Sequence, residues 1–294
     1  MNVRRPRNVR HRLWTAAAQE ALQRSGPILE KSVLALDYPP NGANVPRYFK
    51  PHAKLERLIA AGAGRYRATL ATVALYTDDL KCIAVRDAGE TEPSWINGFL
   101  PGLDGAAIYA LLRAWAPPNY LEVGSGNSTK FAARAKRDGS LRTRITSIDP
   151  CPRAPINALC DEIVRNPLES ADPSLWERLQ PGDVIFMDGS HRVFMNNDVV
   201  AFFLDVLPSL PAGILVGIHD VYLPFDYPSD IADRYYSEQY LLAAYLLGGA
   251  NVEIVLPAYY ASVGMRPDVD ALWSASERFA EIEHHGVAFW LQTK

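Results

Sequence analysis

Cysteine is scarce in this sequence: Cys82, Cys151 and Cys160 are scattered, with no CxxC pair and no Cys/His cluster. That excludes a disulfide framework and a zinc finger, and it suggests a reducing compartment. Long apolar runs are also missing. The longest clean one, 240–247, has eight residues, against the roughly 20 that span a bilayer. The start, MNVRRPRNVRHRLW, is basic but has no apolar stretch like that of a secretory leader, so the expected location is cytoplasmic. Charge of neither sign dominates. The net value is −3, which gives no reason to expect a nucleic-acid or membrane partner. Residues 1–12 carry five arginines and no acid, and are read as a solvated tail. Repeats and low-complexity tracts are lacking, which excludes solenoids and linker-like chains. What remains, 294 residues at 48% hydrophobic and 21% charged, is an ordinary globular composition: one large domain, or a domain with an appendage.

The chain changes character near Tyr120. Before it the patterns are helical or irregular. Residues 11–23 read as a short helix, 37–51 as a proline-rich loop, and Leu55, Leu58 and Ile59, then Tyr66, Leu70 and Val73, fall at helical spacing. A Pro/Gly-rich connection, 91–104, leads to a helix over 105–115 that Pro117-Pro118 stops. After Tyr120, short apolar runs end in Gly or Asp and alternate with helical patterns. Strands are predicted at 120–123, 145–148, 184–187 and 214–218, with helices at 128–136, 174–179 and 193–207. That alternation implies right-handed crossovers and a doubly wound, mostly parallel α/β sheet with both faces covered. The end departs from it: a helix at 238–247, a strand at 252–256, a helix around 271–282 and a last strand at 287–291.

The most informative segment is Leu121-Glu122-Val123-Gly124-Ser125-Gly126-Asn127-Ser128. A buried strand carries an acid near its end. Two glycines then allow a sharp turn and close approach of a ligand, and Asn127 or Ser128 is placed to cap a helix. The crevice beyond such strand ends is where open α/β sheets bind ligands. Asp149 ends the second strand, 23 positions after Gly126, at the distance from which an acid accepts hydrogen bonds from ribose hydroxyls. A dinucleotide turn needs a third glycine where Thr129 stands, and phosphates sit poorly beside the Glu122 carboxylate. S-adenosylmethionine (SAM), with an ammonium, a sulfonium and no phosphate, suits Glu122, Gly124, Ser125, Gly126, Asn127, Ser128 and Asp149 better than a nicotinamide cofactor. An NAD(P)-binding oxidoreductase on a Rossmann-like fold and a non-catalytic SAM-binding accessory protein stand as the alternatives.

LEVGSGNST resembles the first motif of class I SAM-dependent methyltransferases, and SIDP their second. PGDVIFMDGSH and GILVGIHD resemble the fourth and fifth strands of one branch, that of cephalosporin-hydroxylase-like proteins and metal-dependent O-methyltransferases of macrolide sugars. The resemblance runs from about residue 95 to the end and takes in NGFLPGLDGAAIYALL and GVAFWLQ. It implies a seven-stranded sheet of order 3-2-1-4-5-7-6 with the last strand antiparallel. It also implies a methyltransferase domain over 95–294, preceded by a basic tail and helical extension over 1–94.

Asp188 follows the fourth strand, His191 comes three residues later, and His219-Asp220 close the fifth. If those strands are neighbours, about 4.8 Å apart, their ends converge on one spot. Asp188, His219 and Asp220 there form a ligand set for Mg²⁺ or Mn²⁺. The other reading is that the two aspartates bind strand-end N–H groups and His219 is a core histidine. In the macrolide-sugar enzymes an acid stands where His219 stands here. The resemblance puts His191 in the position of a catalytic base, with Asp188 beside it. Eight of the 14 tyrosines lie between Tyr222 and Tyr260, and the aromatic loop directly after Asp220 reads as an acceptor wall or as ordinary packing. The expected function is O-methylation of a hydroxyl on a saccharide or other small molecule, with a homo-oligomer left open.

Overall fold

The computed structural model describes residues 45–47 and 50–294. The expected helix at 11–23, the basic run 1–12 and most of the loop at 37–51 lie outside the described residues. Seven strands form one sheet: β1 Asn119–Val123, β2 Arg144–Ile148, β3 Glu162–Val164, β4 Val184–Met187, β5 Leu215–Ile218, β6 Val252–Pro257 and β7 Phe289–Thr293. Their spatial order is β3-β2-β1-β4-β5-β7-β6. The first five are parallel neighbours and β7 runs antiparallel to β5 and β6. This is the order and polarity that the resemblance implies.

The central strands are apolar without alternation because helices cover both faces. Every residue of β4 and β5 is buried, and so is β1 after Asn119. Phe186 on β4 packs against Trp290 on β7 at 5.4 Å between ring centroids. Gly217 on β5 makes room for both, since a Cβ there would stand 2.5 Å from the Phe186 ring and 2.8 Å from Trp290.

The helix Gly102–Trp115 is buried over its first eleven residues and lies beside the helix Asn127–Asp138, which follows β1. The compact unit Pro46–Lys294 also takes in the helices Ala53–Ala60 and Ala63–Ala74. Thr69 donates to Val255 O at 3.0 Å and Arg65 to Ile254 O at 2.9 Å, so the helix Ala63–Ala74 braces the β6 edge. Leu55, Ile59, Tyr66, Leu70 and Val73 are buried as their spacing predicts, while Leu58 is exposed.

Three elements differ from expectation. β3 is a three-residue strand with a polar start and no apolar run to announce it. The helix expected at 193–207 begins at Asp198, because Asn197 caps it there, accepting from Val200 N at 3.2 Å. The single helix expected at 271–282 is replaced by Ala258–Gly264 and Arg266–Trp273 with a short turn at Glu277–Phe279.

Candidate active site

Three neighbouring strands end level with one another. The parallel registers pair Val123 with Met187 and Met187 with Ile218. One further rung, Asp188 N to Val123 O at 2.8 Å and His219 N to Met187 O at 2.9 Å, carries the ladder past the strand ends. Gly124, Asp188 and His219 therefore sit side by side at the carboxyl edge of the sheet. Gly124 has φ +78°, and a Cβ there would lie 1.8 Å from the Asp188 carbonyl oxygen. Only glycine lets the chain turn this close to β4.

The turn is built around Glu122. It is fully buried, and its two carboxylate oxygens are taken by the protein's own hydroxyls. Tyr120 OH donates to Oε1 at 3.0 Å and Thr129 Oγ1 to Oε2, with Ser128 adding a further hydrogen bond. This corrects the expectation that Glu122 meets a cofactor directly: no part of it reaches the crevice, and it holds the turn from beneath. Thr129 also accepts from Gly126 N at 3.0 Å. The residue that reads in sequence as a missing glycine is thus the tie between strand, turn and helix. The helix cap moves too. Gly126 is the cap and Asn127 and Ser128 are already helical, the Thr129 hydroxyl doing what a capping side chain would do.

Above the turn, Asp149 accepts from Ser125 N at 2.7 Å and Cys151 N at 2.8 Å. Ser125 Oγ lies 2.6 Å from Ser147 Oγ on β2. Asn97, on the loop before the helix Gly102–Trp115, accepts from Asn127 Nδ2 at 3.3 Å, so that loop borders the turn. Where a Cβ on Gly126 would stand there is no atom within 4 Å.

Burial pushes the Glu122 carboxyl up to about 7, despite the three hydroxyl donors that favour its ionised form. The unfolded carboxyl titrates near 4.5. Between those values the folded chain binds more protons than the unfolded one, so this group's contribution to stability falls as pH rises. A shift of that size corresponds to about 3 kcal/mol. Glu122→Gln removes it. Measured by denaturant unfolding, the variant's stability relative to wild type should improve by about 3 kcal/mol between pH 4.5 and pH 8. A constant difference across that range would contradict the assignment.

Beside the turn stands a chain of acids and histidines. His191 Nε2 lies 3.2 Å from Asp188 Oδ1 and 3.4 Å from Asp220 Oδ2, and its Nδ1 lies 2.9 Å from Glu238 Oε2. His219 Nδ1 lies 3.3 Å from Asp188 Oδ1 and 3.8 Å from Asp220 Oδ1, and its Nε2 lies 3.3 Å from Asp104 Oδ2. The His219 contacts are at ion-pair distance but fall short of hydrogen-bond geometry. Asp104 is fully buried and accepts from Val287 N at 2.8 Å and Ala288 N at 2.9 Å.

Burial alone would raise the Asp188 carboxyl and lower both histidines; the mutual charges of the cluster overcome it. Asp188 is held well below the carboxylate range by His219 and His191, and both histidines are held well above theirs by the surrounding carboxylates. His191 (φ +60°) and Asp220 (φ +55°) both sit in the left-handed region. That conformation costs a non-glycine residue roughly 1–2 kcal/mol, and it aims the two side chains at one point.

Asp188, His191 and Asp220 offer one donor atom each, all within 4.8 Å of one another, and this trio is the set able to hold a metal ion among the described residues. The expected set named His219 in place of His191. Both histidines face the two aspartates, His191 through Nε2 at 3.2 and 3.4 Å and His219 through Nδ1 at 3.3 and 3.8 Å, but the trio whose donor atoms converge takes His191. The base role expected for His191 and a ligand role draw on the same atom, Nε2, which lies between Asp188 and Asp220.

The aromatic segment after Asp220 is largely packed. Tyr222 and Tyr227 are buried, and Tyr236 lies on His191 at 4.6 Å between centroids. Asp104 and Glu238 carry no signal in the sequence. The first sits in the opening turn of a helix, the second in another, and neither spacing announces a partner more than 40 residues away.

Residues 121–221 match the family model described as a methyltransferase domain. No curated protein sequence matches the chain significantly. Among solved structures the chain is similar to the O-methyltransferase from Bacillus cereus in complex with SAH, at 16% identity over 77% of this chain and 91% of that one, with a TM-score of 0.41. It is similar to the O-methyltransferase TomG from Streptomyces achromogenes, in complex with SAM, at 18% identity over 63% and 80%, TM-score 0.35. It is also similar to the branched-chain polyamine synthase from Thermus thermophilus at 15% identity over 75% and 63%, TM-score 0.40. These are likenesses of chain layout at low identity and carry nothing about substrate. The glycine turn and Asp188, His191, His219 and Asp220 fall within the matched residues 121–221, while Asp104 and Glu238 lie outside them.

Proposed function

We propose that this methyltransferase transfers the sulfonium methyl of SAM to a hydroxyl oxygen of a small-molecule or saccharide acceptor, with Asp188, His191 and Asp220 as ligands for Mg²⁺ or Mn²⁺. One observation carries this: a glycine turn open above Gly126 adjoins three donor atoms that converge on the next two strand ends.

The backbone from Gly124 to Ser128 would border the cofactor's amino-acid part. Asp149, with acceptor capacity beyond its two backbone donors, would take ribose hydroxyls. SAM supplies a methyl on a good neutral leaving group, so no acid is needed to expel it. What the acceptor needs is alignment and a lowered hydroxyl pKa. Alignment follows from the adjacency of turn and cluster. A divalent ion held by two carboxylates and an imidazole would supply the lowered pKa, and the hydroxyl proton would pass to solvent water as the oxygen takes the methyl and S-adenosylhomocysteine leaves. His191, expected as a base, is read here as a ligand, because its Nε2 lies between the two aspartates.

Chelation tests it. Protein stripped with EDTA should lose transfer of labelled methyl to hydroxylated acceptors by about 100-fold or more, and Mg²⁺ or Mn²⁺ should restore it. Transfer indifferent to EDTA would remove the ion from the account.

A further inference from the structure

We infer that Glu238, a buried residue outside every motif read from the sequence, is the positioning residue that makes His191 a metal ligand by fixing its proton on Nδ1 and leaving the Nε2 lone pair for the ion. This rests on the metal reading above.

Glu238 opens the helix Glu238–Leu247 and is almost wholly buried. Its Oε2 meets His191 Nδ1 at 2.9 Å. Its Oε1 is buried without a hydrogen-bond partner. A carboxylate placed there at such a cost in solvation has one partner worth the burial, the imidazole N–H. The same helix end grips the His191 backbone. Ser237 N and Glu238 N donate to the His191 carbonyl oxygen at 2.8 and 3.2 Å, and Ser237 Oγ accepts from Val193 N at 2.9 Å. The left-handed backbone of His191 is thus held from the side on which its ring is oriented, and Tyr236 covers the ring.

The consequence is geometric. With Nδ1 facing Glu238, the ring has one orientation left, and in it Nε2 stands between Asp188 Oδ1 and Asp220 Oδ2. A carboxylate behind a metal-bound imidazole fixes the tautomer, orients the ring and raises its basicity, and losing such a partner typically costs 10–100-fold in metal affinity. His219 has a parallel arrangement, Asp104 at Nε2 and the two aspartates at Nδ1, but its contacts are longer and fall short of hydrogen-bond geometry.

The test uses the full chain without SAM, Mn²⁺ as the probe, and electron paramagnetic resonance to count free ion. Wild type should bind Mn²⁺, and Glu238→Gln, which keeps shape and an acceptor oxygen but loses the charge, should bind it 10–100-fold more weakly. A merely structural Glu238 would lower the metal-free Tm of the variant and leave Mn²⁺ affinity unchanged, which would overturn the inference while sparing the metal site. Absence of Mn²⁺ binding by wild type would overturn both. Should Glu238→Gln fail to fold, ¹⁵N-labelled wild type titrated with Mg²⁺ decides. The proton should stay on His191 Nδ1 while Nε2 shifts, and a shift confined to Nδ1 would contradict the assignment.

Discussion

Gly124→Ala should destabilise the fold by about 2–5 kcal/mol, lowering Tm by roughly 5–15 °C for a domain of this size. Two penalties fall on one methyl group. The residue sits at φ +78°, and the new Cβ would stand 1.8 Å from the Asp188 carbonyl oxygen and 2.7 Å from its carbon. Neither atom can retreat. Asp188 N is bonded to Val123 O, and the next rung ties His219 N to Met187 O, so the contact is backbone against backbone across adjacent strands. Relief comes only by prising β1 from β4 at the edge where the cofactor crevice and the cluster meet. Differential scanning calorimetry measures the loss, and a Tm within 2 °C of wild type would show that the turn is not built as described.

The second large effect is on chemistry. Asp188→Asn should cut methyl transfer by about 10²–10⁴-fold while the protein remains folded. Asp188 Oδ1 is the point that both histidines approach, 3.2 Å from His191 and 3.3 Å from His219. Its neutralisation removes a ligand charge and the counter-charge that balances two buried imidazoles. The substitution keeps the side-chain shape, and the backbone N–H that continues the ladder is untouched. Steady-state turnover with saturating SAM measures the effect. Activity within a few-fold of wild type would place the reaction centre elsewhere.

The sheet was largely legible in sequence because its central strands are short, wholly buried apolar runs that end in Gly or Asp. β4 and the helix Glu238–Leu247 have the expected bounds, and β1, β2 and β5 agree within a residue at one end. β3 was not, since a three-residue strand with Glu at its head has no pattern to read. In the site, the acids and histidines at strand ends were legible as a group, but not which histidine joins the converging trio. Behind the histidines stand Glu238, 47 residues from His191, and Asp104, itself bonded to backbone 183 and 184 residues away, partners that no local pattern announces. Glu122 was legible as a buried acid in need of partners. That Tyr120, Ser128 and Thr129 satisfy it from within followed only from the packed turn.

The most direct measurement is a calorimetric titration of S-adenosylhomocysteine into wild type and Asp188→Asn. One molecule should bind per chain with nearly equal affinity in both, since the glycine turn and Asp149 are unchanged, while NADH produces no heat. A folded wild type that ignores S-adenosylhomocysteine, or that takes NADH in its place, would contradict the assignment of the crevice.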